Sequence, residues 1–139
     1  MKSTKFVLPH LGEVLFEDEL VHYDGPVLFT VRSENGGRYL GFWADDTENA
    51  SVYWYSPISD SRYRDLLRGE IEVRQPFVEQ ESILIAHRSH ANAEYESSEW
   101  RRSSELDRDA LPEAGYRFAA DDFETALKER GAIPSEITK

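Results

Sequence analysis

Apolar and polar positions alternate along much of the first ninety residues, the period-two pattern of half-buried strands. "GEVLFEDEL" carries it loosely and predicts a strand from Glu13 to Leu20. The clearest case is residues 27–45, where two alternating runs flank Asn35-Gly36. That dipeptide favours a two-residue type I′ turn, whose central positions both need positive φ. A hairpin built on it sets Ser33 against Arg38, Val31 against Leu40, Phe29 against Phe42 and Val27 against Ala44. The last three pairs are apolar on both sides, so this face is expected in the core, with Phe29 and Phe42 buried side by side. The other face pairs Arg32 with Tyr39, Thr30 with Gly41 and Leu28 with Trp43. Pro26, closing "YDGP", fits only the start of the first strand.

Downstream, "DDTENA" reads as a polar loop and the aromatic-rich "SVYWYSP" (Ser51 to Pro57) as a strand ending at proline. Ser59 then caps a short helix with an apolar stripe of Tyr63, Leu66 and Leu67, and Gly69 stands where the helix should stop. "EIEVRQPF" fits either a strand or a turn of helix, and "SILIAHR" (Ser82 to Arg88) fits a strand. Residues 89–115 are rich in serine and charge and read as a long irregular loop region, with room for an irregular strand around Tyr95. Near the C-terminus, Asp121 and Glu124 have capping-box spacing ahead of a Phe123, Ala126, Leu127, Arg130 stripe that Gly131 ends. No internal repeat is visible. The expected fold class is α+β: an antiparallel sheet with two short helices, one after the central strands and one at the C-terminus.

Length and composition narrow this little. The 139 residues are expected to form a single domain, large enough for a core without staples. There is no cysteine, which excludes disulfides, thiolate metal sites and cysteine nucleophiles and suits a reducing cytoplasm. The apolar run in "MKSTKFVLPHLGE" is too short for a signal peptide, and no apolar stretch is long enough to span a membrane. A cytoplasmic location is therefore expected. Charge changes the picture more. The net −11 is divided as −5 over residues 1–58, −1 over 59–88 and −5 over 89–139, so it is not one acidic tail. Such a field repels nucleic-acid phosphates and attracts a basic partner, besides keeping the protein dispersed.

Candidate chemistry is sparse. His87 and His90 lie three apart at a strand end and point to opposite faces, poor geometry for a metal, so no metal or cofactor is expected. Asp45, Asp46 and Glu48 could hold a cation or act as acid and base, but they share one hairpin loop without the glycine of a calcium loop. A solvated turn is the favoured reading of them. There is no G-x-S-x-G and no phosphate-binding loop; Gly36-Gly37 belongs to the hairpin. Catalysis is accordingly not expected. The most promising surface is aromatic, with Tyr39 and Trp43 on the non-core hairpin face and Tyr53, Trp54 and Tyr55 one strand away. Covered by helices, these rings would be a second core layer; left open, they would form a patch rimmed by acids. The candidate partner-binding set is Tyr39, Trp43, Asp45, Asp46, Glu48 and Trp54.

The motifs "YDGPVLF", "GGRYLGFW", "YWYSPIS" and "RYRDLLRGEIEVRQPF" together resemble a family of small bacterial proteins known only as a domain of unknown function. The matching elements are Tyr23-Asp24-Gly25-Pro26, Leu28-Phe29, Tyr39-Leu40, Trp43, Asp45-Asp46, Trp54, Pro57-Ile58-Ser59 and Gly69-Glu70-Ile71, over roughly residues 10–80. Val73 departs from the pattern, where leucine is more usual, and the C-terminal half offers no matching motif. The resemblance implies a bacterial or phage cytosolic accessory protein and brings no catalytic residue with it. Charge and missing catalytic spacing favour an acidic, non-catalytic interaction module with a basic protein partner, of immunity, antitoxin-like or regulatory kind. The alternative is a small ligand-binding domain or hydrolase using the aromatic hairpin face and the acids from Asp45 to Glu48.

Overall fold

The computed structural model describes residues 4–22, 26–106 and 111–112. Seven strands form one antiparallel meander in which each strand pairs with its successor. They are β1 (Thr4–Leu8), β2 (Gly12–His22), β3 (Pro26–Ser33), β4 (Arg38–Asp46), β5 (Ala50–Pro57), β6 (Ser82–Ser89) and β7 (Tyr95–Arg102). Between β5 and β6 lie α1 (Asp60–Arg68) and the single-turn α2 (Gln75–Glu79). The fold is thus mainly β, which corrects the α+β expectation. Two strands account for the difference. β1 is a five-residue run in a segment that had been weighed only as a leader. β7 begins at Tyr95, where the sequence leaves room for an irregular strand, and runs on to Arg102 through the expected 89–115 loop; most of its side chains are exposed, so its polar composition hides its extent. The expected C-terminal helix and Tyr23-Asp24-Gly25 lie outside the described residues.

The β3–β4 register differs from the expected one by a residue. Phe29 pairs with Gly41, Thr30 with Leu40 and Val31 with Tyr39. The cause is the turn, which has three residues where two were expected. Gly36 N–H donates to the Ser33 carbonyl, Ser33 N–H donates to the Gly37 carbonyl, and only Gly36 has positive φ, at 93°. A type I turn followed by a left-handed glycine bulge is the common three-residue alternative to type I′. Asn35 favours it here by accepting from Gly37 N–H and Ser33 Oγ. A one-residue slip reverses which side chains share a face. Phe29 and Phe42 are both buried, but on opposite sides of the sheet.

The outer face carries Leu28, Leu40, Phe42, Val52, Trp54, Ile83 and Ile85, covered by Tyr63, Leu66 and Phe77 of the helices. Ser59 caps α1 by accepting from Arg62 N–H, and Gly69 ends it in the left-handed region, as the sequence predicts. "EIEVRQPF" resolves as the approach to α2 and α2 itself, held down by Ser56 Oγ donating to the Pro76 carbonyl at 2.5 Å. A bulge after Phe16 turns both Glu17 and Asp18 toward this side. Glu17 accepts from Thr30, Arg32 and Arg38, while Asp18 accepts from the Tyr63 hydroxyl, tying α1 to the sheet.

The inner face carries Leu8, Val14, Phe29, Val31, Tyr53, Tyr55, Leu84 and Ala86. Bulges in β2, β4 and the β6–β7 pair bend the strands, and the sheet curls toward this side. The curl brings its two ends together. Phe6 of β1 stacks on Tyr95 of β7 at 5.5 Å, and Ser98 Oγ of β7 meets both the Pro9 carbonyl and His10 Nδ1 at 2.6 Å. The result is a half-barrel with an aromatic interior.

Candidate functional site, an aromatic cavity inside the curled sheet

The curl leaves a cavity of about 490 Å³ on the inner face. Five rings line it: Phe6, Phe16, Phe29, Tyr53 and Tyr95. Strand alternation puts them there, from β1, β2, β3, β5 and β7 in turn. Gly41 lets the Phe29 ring lie across β4, because a Cβ at that position would stand 2.6 Å from Phe29 Cε2 and Cζ. The rings are set in planes. Phe16 lies near-parallel to Phe29 and Phe6 near-parallel to Tyr95, whereas Tyr53 stands edge-on to both Phe29 (70°) and Tyr95 (69°).

Glu19, Arg88 and Ala93 complete the lining. Glu19 sits opposite Phe29 in the β2–β3 register, just past the bulge. Arg88, on β6, donates from Nε to the Ala93 carbonyl at 3.0 Å, which fixes it against the β6–β7 turn. Ala93 closes that turn with φ of 61°, a left-handed conformation rare for a residue with a Cβ.

Burial, the largest influence on each, raises the hydroxyl pKa of Tyr53, Tyr55 and Tyr95. Tyr55 and Tyr95 share a 2.5 Å hydrogen bond between their hydroxyls. These groups stay protonated near neutrality and act as hydrogen-bonding dipoles in an apolar wall. Ser51, His90 and Asp46 come together near the cavity in a way the sequence did not suggest. Both Ser51 Oγ (3.2 Å) and Asp46 Oδ1 (3.8 Å) face the same imidazole nitrogen, Nε2. A nucleophilic triad needs serine on one nitrogen and acid on the other, so this trio is a surface hydrogen-bond cluster. No cluster of three or more potential metal ligands occurs among the described residues.

The sequence-derived candidates divide between the two faces. Tyr39 and Trp43 are half-buried and pack against the inner cluster. Trp43 stacks on Tyr53 at 6.1 Å and donates its indole N–H to Asp46 at 3.0 Å. That indole bond sets Asp46 beside the ring pair of Trp43 and the cavity residue Tyr53. The acids do not share one loop as expected: Asp45 and Asp46 are exposed at the end of β4, paired with Val52 and Ser51, and Glu48 alone lies in the β4–β5 turn. Trp54 is not with them: it is buried on the outer face against Phe42 and Phe77. Phe6, Phe16, Glu19, Arg88 and Tyr95 were missed. Phe16 and Glu19 share a face only because a bulge changes the alternation between them, Phe6 lies on a strand that was not expected, and Tyr95 opens a strand legible only as irregular.

A family model described as a family of unknown function, DUF6575, matches residues 9–129. The match takes in the C-terminal region where no motif was legible. No curated protein and no solved structure matches the chain. No helix among the described residues is long and apolar enough to cross a membrane.

Proposed function

We infer that this chain, which belongs to the DUF6575 family of unknown function, is a non-catalytic binding protein that takes a small molecule into the aromatic cavity of its curled sheet. The cavity carries the reading. Its volume of about 490 Å³ falls inside the range of roughly 300–1,000 Å³ usual for ligand pockets. Aromatic walls with a few placed polar groups are also what such pockets have. Binding is favoured over hydrolysis because the tyrosine hydroxyls are held protonated and the Ser51–His90–Asp46 trio lacks relay geometry. The test is ligand-observed NMR with a collection of small aromatic and amphiphilic fragments. Hits should compete with one another and be lost in a folded Tyr53→Ala variant, yet persist in Leu67→Ala on the exposed side of α1. Fragments that bind Tyr53→Ala as well as the parent protein would contradict the reading.

The exposed acids Asp45 and Asp46 at the end of β4 and Glu48 in the turn after it support a second reading, docking of a basic protein partner of immunity, antitoxin-like or regulatory kind. Its support is the exposure of these acids at one end of the β4–β5 hairpin in a chain of net charge −11. Steering by such a patch acts on the association rate and is screened over about 8–10 Å at moderate salt. Reversing the three charges together should slow association with a co-purified partner, most strongly at low salt. An unchanged rate would remove this reading.

A further inference from the structure

Resting on the cavity reading above, we propose that the ligand is an organic carboxylate of single negative charge, its apolar body among the aromatic walls and its carboxylate on Arg88. Alternation along β6 brings Arg88 to the inner face after Leu84 and Ala86, where it lines the ring-walled cavity. Two other half-buried arginines of the sheet, Arg32 and Arg38, both pair with Glu17. Arg88 is half-buried as well, yet no carboxylate pairs with it among the described residues. A guanidinium against apolar walls loses hydration that only a counter-charge restores. A carboxylate brought by the ligand is that counter-charge.

The guanidinium is held ready for such a partner. Its Nε donates to the Ala93 carbonyl across the β6–β7 turn at 3.0 Å, which orients the group before any ligand arrives. With Nε engaged, the two terminal nitrogens remain, and their parallel N–H bonds match the two oxygens of a carboxylate. Tyr53 lines the same cavity with a hydroxyl that burial keeps protonated, a neutral donor to the same oxyanion. Glu19, the other charged lining residue, is exposed and already has a partner, so Arg88 carries the cavity's uncompensated charge. One guanidinium balances one negative charge. A phosphate monoester carries more than one at neutral pH, and the excess would sit among aromatic walls in a chain of net charge −11. The five rings serve the other end of the ligand, where burial and stacking favour an apolar body.

Three probes with the same phenylethyl body separate the contributions: 3-phenylpropanoate, its neutral amide 3-phenylpropanamide, and the more highly charged 2-phenylethyl phosphate. Titration of the full chain by NMR, with melting temperatures recorded for each variant, should show the carboxylate binding about tenfold or more tighter than either analogue. Arg88→Gln should erase most of its preference over the amide and leave the amide's own binding in place. Arg64→Gln, which removes the same charge from the exposed side of α1, should change neither. The comparison of carboxylate with amide is made on the parent chain and stands even if Arg88→Gln does not fold. Equal or tighter binding of the amide or the phosphate, or a folded Arg88→Gln that keeps the preference, would overturn the proposal. If neutral aromatic fragments bind the cavity and 3-phenylpropanoate does not, the carboxylate fails while the cavity reading stands. If nothing binds there, both fail.

Discussion

Phe29 lies flat across Gly41, its cross-strand partner, and uses the space a side chain would fill. A Cβ on Gly41 would come within 2.6 Å of two atoms of the Phe29 ring and 3.0 Å of the Tyr55 ring. The pairing fixes the plane in which Phe29 meets Tyr53 and Tyr55, and so one wall of the cavity. Gly41→Ala should therefore destabilise the protein by about 1–3 kcal/mol, the usual cost of overpacking. Phe29→Leu in the same chain should recover part of that loss. Denaturant melts of the two single variants and the double variant measure the coupling; additive losses would mean the two residues are not in contact.

The two tryptophans of neighbouring strands should respond differently to truncation. Trp54 is 5% exposed between Phe42 and Phe77, so Trp54→Ala should cost about 3–5 kcal/mol. Trp43 is half-buried, so Trp43→Ala should cost about 1–2 kcal/mol and leave the fold intact. Urea denaturation of both variants checks the order, and a reversed order would exchange the faces assigned to them.

Acid should weaken the network that joins β2 to β3 and β4 through Glu17. The Arg38 hydrogen bond, with further help from Arg32 and Thr30, outweighs burial and lowers its carboxyl from the ordinary 4.5 to about 2. A carboxylate with a depressed folded pKa stabilises fully above its unfolded pKa and loses that contribution as pH falls through the folded value. The stability gap between the parent and Glu17→Gln should thus be widest above pH 4.5 and close toward pH 2. Denaturation followed across that range reads it. A gap that does not change with pH would show that the charge of Glu17 contributes nothing.

Ala93 holds a positive φ of 61° at the close of the β6–β7 turn, where glycine carries no Cβ penalty. Ala93→Gly should raise stability by about 0.5–1 kcal/mol in a thermal melt, after glycine's greater chain entropy is set against the relieved strain. A loss of stability would show that the Ala93 methyl group is needed in the cavity lining.

Strand content was legible wherever side chains alternate in and out of a core. β2 through β6 and the capped helix α1 all occur close to where the pattern puts them. β1 escaped, and β7 was legible only as an irregular strand around Tyr95, because it exposes most of its side chains and leaves no apolar stripe to read. The register at Asn35-Gly36 escaped for another reason. Asparagine and glycine serve two turn types that differ by one residue, and the choice rests on the Asn35 side chain accepting from Ser33 and Gly37. That one residue moved Phe29 from beside Phe42 to the opposite face. It also divided the candidate aromatic set between the faces, with Tyr39 and Trp43 against the inner cluster and Trp54 in the outer core. Bulges are equally silent in sequence, and the one after Phe16 placed Glu17 among the outer-face arginines.

The claim that a small molecule occupies the inner face is tested most directly by the three indole N–H resonances of the chain, from Trp43, Trp54 and Trp100. Trp43 stacks on the cavity wall residue Tyr53, whereas Trp54 lies under α2 on the other side of the sheet. Titration of nitrogen-15-labelled protein with any fragment that binds should move the Trp43 resonance in a saturable way and leave Trp54 in place. Saturable movement of Trp54 with Trp43 unmoved would put the ligand on the outer face and contradict the account.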